Sequence, residues 1–140
     1  MDILFIIGRV LFALVLLNSG VMHLTKPDAM VGYAQFKKVP AAKASVALSG
    51  IIMVLASLGI ILGIALDLSA LVIAILLVIM SVKMHDFWNA DEQGKQAETV
   101  NFFKNMSMAG AALMMFAAVA NALPDDRVLG WMLTNGVFAK

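Results

Sequence analysis

The chain contains no cysteine. That excludes redox disulfides and thiolate metal sites, and says nothing about the redox compartment. Charge is also scarce: Asp, Glu, Lys and Arg make up 14% of residues, against about 25% in a soluble domain. With a net charge of +1 there is no clustered basic surface of the kind that phosphate backbones require, so a nucleic-acid partner is excluded. Histidine occurs twice. No catalytic triad, phosphate-binding loop or metal-ligand motif can be assembled from these residues. The expectation is a protein without catalytic activity of its own and without a metal site. A cleavable signal is not expected either, because Asp2 stands where a basic n-region belongs, Arg9 interrupts the first apolar run, and no A-x-A site follows.

What is abundant is apolar surface. The apolar fraction is 62%, above the roughly 45–50% of soluble domains, and a soluble core of this size cannot hide it. The chain therefore reads as an integral membrane protein. Residues 3–24 are long enough to cross a hydrocarbon core of about 30 Å at 1.5 Å per residue. Residues 25–43 form a polar connection in which Pro27 and Asp28 suit the first turn of a short interfacial helix that ends before Pro40. From Ala44 to Val82 the chain is apolar for too long to be one span, so it must fold back, and Asp67 marks the expected turn between spans 44–66 and 68–84. The fourth span is predicted over 102–123, stopped by Pro124-Asp125-Asp126, with 124–140 as an interfacial tail. The fold class is all-α: a four-helix up-down-up-down membrane bundle with short interfacial helices, one transmembrane domain over 1–140. Gly59 and Gly63, with Ala109 to Ala112, offer small faces for close helix packing within one chain or in a homo-oligomer.

An even number of spans places connections 25–43 and 85–101 on one side and both termini on the other. The first side carries Lys26, Lys37, Lys38, Lys43, Lys83, Lys95 and Lys104, the second only Arg9, Arg127 and Lys140. The positive-inside rule then puts the two connections in the cytoplasm and the termini outside, in a multi-pass inner (plasma) membrane protein.

The candidate site lies in the one polar island, Lys83 to Asn105. His85 closes the third span, and His23 closes the parallel first span at a similar depth. Arg9 lies about 21 Å from His23 along the first helix, a buried charge that seeks a partner, with Asp67 or Asp125 and Asp126 on its side, unless it snorkels to the interface or is pinned by carbonyls. Phe87 and Trp88 suit the headgroup belt. Lys104 and Asn105 are placed in the first turn of the fourth helix, where a Lys opposes the macrodipole and needs an acid. Asp86 is the expected partner of Lys104, with His85 or Asn105 completing the cluster and Trp88 shielding it from lipid.

The HDFW sequence at 85–88, a short polar linker with Gln96 and Glu98, and FFKNMSMAGAALMM at 102–115 resemble the DoxX family of small bacterial four-helix membrane proteins. The opening GRVLFALVLLNSGVMHL resembles that family's first helix. The chain departs from the pattern at His23, where Lys or Gln is common, and at Ala47-Leu48-Ser49-Gly50, where many members carry a Glu. The resemblance implies association with redox membrane complexes: some relatives resemble the small subunit of thiosulfate:quinone oxidoreductase, others partners of oxidative-stress enzymes.

Three readings follow. The first is a non-catalytic membrane subunit that docks a redox enzyme or binds a quinone at a polar mouth made of His85, Asp86, Trp88, Lys104, Asn105 and His23. The second is a carrier or binding protein for a small amphiphile. The third, a minor one, is a haem protein with His23 and His85 as axial ligands.

Overall fold

The structure, a computed structural model, describes residues 2–121 and 131–138. The expected stop at Pro124-Asp125-Asp126, the last residues of the predicted fourth span, and the charges of Arg127 and Lys140 lie outside the described residues. Five α-helices occur among the described residues: α1 Asp2–Thr25, α2 Pro27–Phe36, α3 Ala42–Leu62, α4 Leu66–Met84 and α5 Lys95–Ala120. A short 3-10 turn, Phe87–Asn89, links α4 to α5. Four of these segments are long and apolar enough to cross a membrane, at Ile3–Thr25, Ala42–Leu62, Leu66–Asn89 and Lys95–Ala120. The fold is an all-α membrane bundle.

Its burial pattern is that of a protein whose solvent is lipid. Large apolar side chains such as Leu4, Leu11, Leu55, Ile79 and Met114 are exposed along the outward faces. The interior is lined by small and medium ones: Ala13, Leu16, Met53, Ile60, Ala70, Ile73, Leu77, Ala109 and Ala112. Helix association in hydrocarbon depends on close packing rather than on apolar burial. Accordingly α1 runs tightly against α3, where a Cβ at Gly20 would lie 2.9 Å from that of Met53. The closest helix pairs are α1 with α3 and α4 with α5, and α3 with α4 joins them less extensively.

The turn between α3 and α4 falls three residues earlier than the sequence suggested. Gly63 ends α3 with φ of 65°, a left-handed conformation that favours glycine, so it is a helix stop and not the second small residue of a packing face. Asp67 is therefore inside the first turn of α4 and fully buried. α5 starts at Lys95, well before the expected Phe102, so much of the polar island is helix.

Residues 131–138, part of the expected interfacial tail, cross the end of the bundle as an irregular strap. The strap amides of Leu133 and Thr134 donate to the Gly63 carbonyl, each at 3.1 Å. The Ala65 amide donates to Thr134 Oγ1 at 2.9 Å. Asp67 accepts from the amides of Val137 at 2.8 Å and Phe138 at 2.6 Å, and from Leu68 at 2.7 Å. Phe138 meets Phe116 of α5 edge to face. At Gly136 a Cβ would stand 2.6 Å from an Asp67 carboxylate oxygen, so only glycine lets the strap pass.

Leaving buried amides without an acceptor costs about 1–3 kcal/mol each. Asp67→Ala should therefore lower stability by about 2–5 kcal/mol, with Asp67→Asn losing less because it keeps one acceptor oxygen. Gly136→Val should behave like Asp67→Ala. Thermal unfolding in mild detergent measures all three, and unchanged midpoints would mean that the strap is not bound to Asp67.

Candidate functional site

At the opposite end of the bundle, side chains from three elements converge. α2 supplies Tyr33 and Lys37, one turn apart on one face. The end of α4 and the residues after it supply His85 and Asp86, and the first turn of α5 supplies Glu98. Glu98 is well placed there, because an acid at a helix N-terminus complements the macrodipole.

The contacts form a connected network. Lys37 Nζ pairs with Asp86 Oδ1 and stands 4.0 Å from Glu98. The Tyr33 hydroxyl donates to Glu98 Oε1 and also lies 3.1 Å from the Met84 carbonyl, a shared donation. His85 Nδ1 is 3.0 Å from Glu98 Oε2, which makes that nitrogen the N–H donor toward a carboxylate. Asn89 Nδ2 donates to Asp86 at 2.9 Å. The side chains are largely but not wholly covered: Lys37 is 10% exposed, Asp86 20%, His85 20% and Glu98 16%.

Burial alone would lower the ammonium pKa of Lys37, but its bonds to Asp86 and Tyr33 and the nearby Glu98 charge outweigh that and raise it. Desolvation, then the bond and charge of Glu98, raise the Tyr33 pKa. At neutral pH Lys37 is therefore a cation and Tyr33 a proton-bearing donor. With two carboxylates against one ammonium, the network has one negative charge in excess when His85 is neutral. Chemically it is a small hydrogen-bonding unit at the helix ends.

The sequence-predicted residues divide. His85 and Asp86 are in the network. Lys104 is not: it is exposed on α5 and donates to Asn101 at 3.1 Å. The expected Asp86–Lys104 pair is replaced by Asp86–Lys37. With α5 starting at Lys95, Lys104 lies in the third turn, away from the macrodipole's end, and is exposed. Asn105 is buried two turns below Glu98 on the inward face, beneath the network.

Trp88 is 52% exposed and packs edge to face on Phe87 and Phe102. Phe103 joins the same aromatic group. His23 is half-buried, with Nδ1 2.8 Å from the Ser19 carbonyl of its own helix and its Cβ against Gly50 of α3. It faces the α1–α3 contact while His85 faces α5, and no hydrogen bond joins it to the network. Arg9 is buried near the strap end, far from this site. Among the described residues no group of three or more His, Asp or Glu is placed to hold a metal.

Tyr33, Lys37 and Glu98 are the members that sequence reasoning did not select. A signal was present. The chain's single tyrosine lies four residues before the lysine that ends the short helix α2, and Glu98 is the acid in the first turn of α5.

A double-mutant cycle separates the two pairings. For a partly covered pair the coupling falls between exposed pairs at about 0.2–1 kcal/mol and buried ones, whose truncation costs about 3–5 kcal/mol. Lys37→Ala and Asp86→Ala should couple by about 1–2 kcal/mol in thermal unfolding, and Lys104→Ala should be neutral to about 0.5 kcal/mol. Coupling of Asp86 to Lys104 and not to Lys37 would overturn the assignment.

Comparison with known proteins bears on α1 to α4. No curated protein and no solved structure matches the chain. A family model described as DoxX matches residues 4–86, from the first turns of α1 through His85 and Asp86 and across more than half of the sequence. Four membrane-crossing helices and that match lead to one conclusion: the chain belongs to the DoxX family.

Proposed function

We propose that this protein is a non-catalytic membrane subunit of a redox-linked complex, and that its Tyr33–Lys37–His85–Asp86–Glu98 network binds the head group of a quinone. The observation that carries the reading is the convergence of the five side chains at the bilayer boundary beside the Phe87–Trp88–Phe102 aromatic group. A quinone needs hydrogen-bond partners for its ring oxygens and an apolar surface for its ring and tail. Its reduction to a quinol also takes up two protons with two electrons. His85 and Glu98, 3.0 Å apart, are the polar groups beside which those protons would enter. The electrons need an external donor, because a chain without cysteine holds neither a redox disulfide nor a thiolate-bound iron–sulfur cluster, and this supports the role of subunit. Bilayer insertion brings the mouth to the depth where such ligands diffuse. The lysine distribution supports a cytoplasmic mouth and connections with the termini outside, and the proposed location is the inner membrane.

With Trp131→Phe as background, Trp88 is the sole tryptophan and reports on the mouth. Decylubiquinone should quench it saturably. Glu98→Gln and His85→Ala should each weaken binding about tenfold, the equivalent of roughly 1.4 kcal/mol, and Lys104→Ala should leave it unchanged. Absent or unsaturable quenching, or equal affinity in all variants, would remove the quinone. Orientation is tested separately. Because the chain is free of cysteine, Lys26→Cys and Thr134→Cys are clean reporters, and an impermeant maleimide applied to intact cells should label the second and not the first.

A further inference from the structure

α1 meets the bundle with one face, on which Arg9, Ala13, Leu16 and Gly20 are buried. Its other side carries an unbroken exposed stripe: Leu4, Ile7, Leu11, Leu14, Asn18, Val21 and Thr25. The spacing alternates three and four along the whole helix, which is the heptad seam by which two helices interlock side chains. The outward faces of α3 and α4 are apolar too, at Ile51, Leu55 and Leu58 on one and Ile75, Ile79 and Val82 on the other. Apolarity alone therefore does not single out α1. Asn18 does.

Asn18 stands about 10 Å along α1 from Thr25 and about 24 Å from Asp2, inside a hydrocarbon layer of about 30 Å. A lysine at such a depth reaches the headgroups with its long stem; an asparagine cannot. Thr25 and His23 fold back onto carbonyls of their own helix, and Asn121 does the same on α5. Asn18 makes no such bond among the described residues and is exposed. Its amide thus brings two N–H donors and an acceptor oxygen to a layer whose lipid tails can meet neither.

Whatever covers the stripe has to present a donor and an acceptor at that depth. A second copy of this chain does so by symmetry. Inserted with the same topology it runs parallel, and a two-fold axis along the membrane normal sets Asn18 of one copy opposite Asn18 of the other. A carboxamide is its own complement, each N–H donating to the other's oxygen. On the heptad, Asn18 shares its position with Leu4, Leu11 and Thr25, and one asparagine in such a seam sets register and oligomeric state. The small residues Gly59, Ala109 and Ala112, by contrast, are buried within the bundle and offer no face to a partner.

We propose that the protein forms a parallel two-fold homodimer through the outward face of α1, held in register by a hydrogen-bonded pair of Asn18 side chains, one from each copy. The stripe contains no residue of the mouth or the strap, so the dimer and the quinone reading stand or fall separately.

A chain without cysteine is suited to disulfide scanning. Single variants are oxidised with copper phenanthroline in intact membranes. Ile7→Cys, Leu11→Cys, Leu14→Cys and Val21→Cys should give a covalent dimer, whereas Ile6→Cys, Val10→Cys and Leu17→Cys should not. The similarly exposed Leu55→Cys on α3 and Met114→Cys on α5 should not either. In liposomes, energy transfer between copies labelled at Lys26→Cys reads association as lipid dilutes the protein. Asn18→Leu keeps the size of the side chain and should weaken association about three- to tenfold, the range for a hydrogen bond between membrane helices. Asn18→Gln should retain most of it. Cross-linking without the seven-residue period, from Leu55→Cys or Met114→Cys in place of α1, or into another protein in place of a second copy would each overturn the dimer. So would absent energy transfer or undiminished association of Asn18→Leu. Should Asn18→Leu fail to fold, the cysteine scan, made on chains that keep Asn18, still decides.

Discussion

A carboxylate buried in hydrocarbon has to be met by N–H groups, and Asp67 imposes that demand on the whole strap end of the bundle. Water is not at hand to solvate it, and an isolated ion in an apolar medium is prohibitively unstable. The chain's answer is to bring main-chain amides from seventy residues away. Accepting the amides of Val137 and Phe138 fixes where the strap must run. That course in turn requires glycine at 136, places Met132 against Gly63, and presents the Trp131 carbonyl to Arg9. One buried charge thus orders a segment that has almost no regular structure of its own.

The same constraint explains why the two helix pairs need cross-ties. α1 with α3 and α4 with α5 pack by close approach of small residues, and the join between the pairs is thinner. Apolar contact adds little to helix association when lipid is equally apolar. Polar bonds in a poor solvent for polar groups hold the pairs at both ends. At one end the strap links α1, the α3–α4 turn and α5. At the other, α2 reaches across with Tyr33 and Lys37 to Met84, Asp86 and Glu98.

Much of the architecture was legible because span length and apolarity are direct consequences of bilayer thickness. The four membrane helices and the short helix beginning at Pro27 follow from that and from proline's tolerance for a first turn. The site was legible only in part. His85 and Asp86 stand out as the polar close of an apolar run. Their partners do not, because the partner was chosen by helix-end electrostatics, and those depend on where α5 starts. Starting it at Phe102 makes Lys104 a first-turn cation in need of an acid; starting it at Lys95 makes Glu98 the first-turn acid and leaves Lys104 in the third turn. The strap was illegible for another reason. Its bonds are made almost wholly by the main chain, and main-chain recognition leaves little trace in side-chain sequence beyond a glycine.

The two ends also differ in what their polar groups have left to give. In the mouth, Tyr33, Lys37, Asp86 and Glu98 are mutually satisfied, so a ligand must compete with existing bonds or share them. At the strap end Asp67 is saturated by main-chain amides, whereas Arg9 Nε and Nη1 have no partner among the described residues. Each end therefore closes its polar groups by a different means, side chains from three elements at the mouth and main-chain groups at the strap.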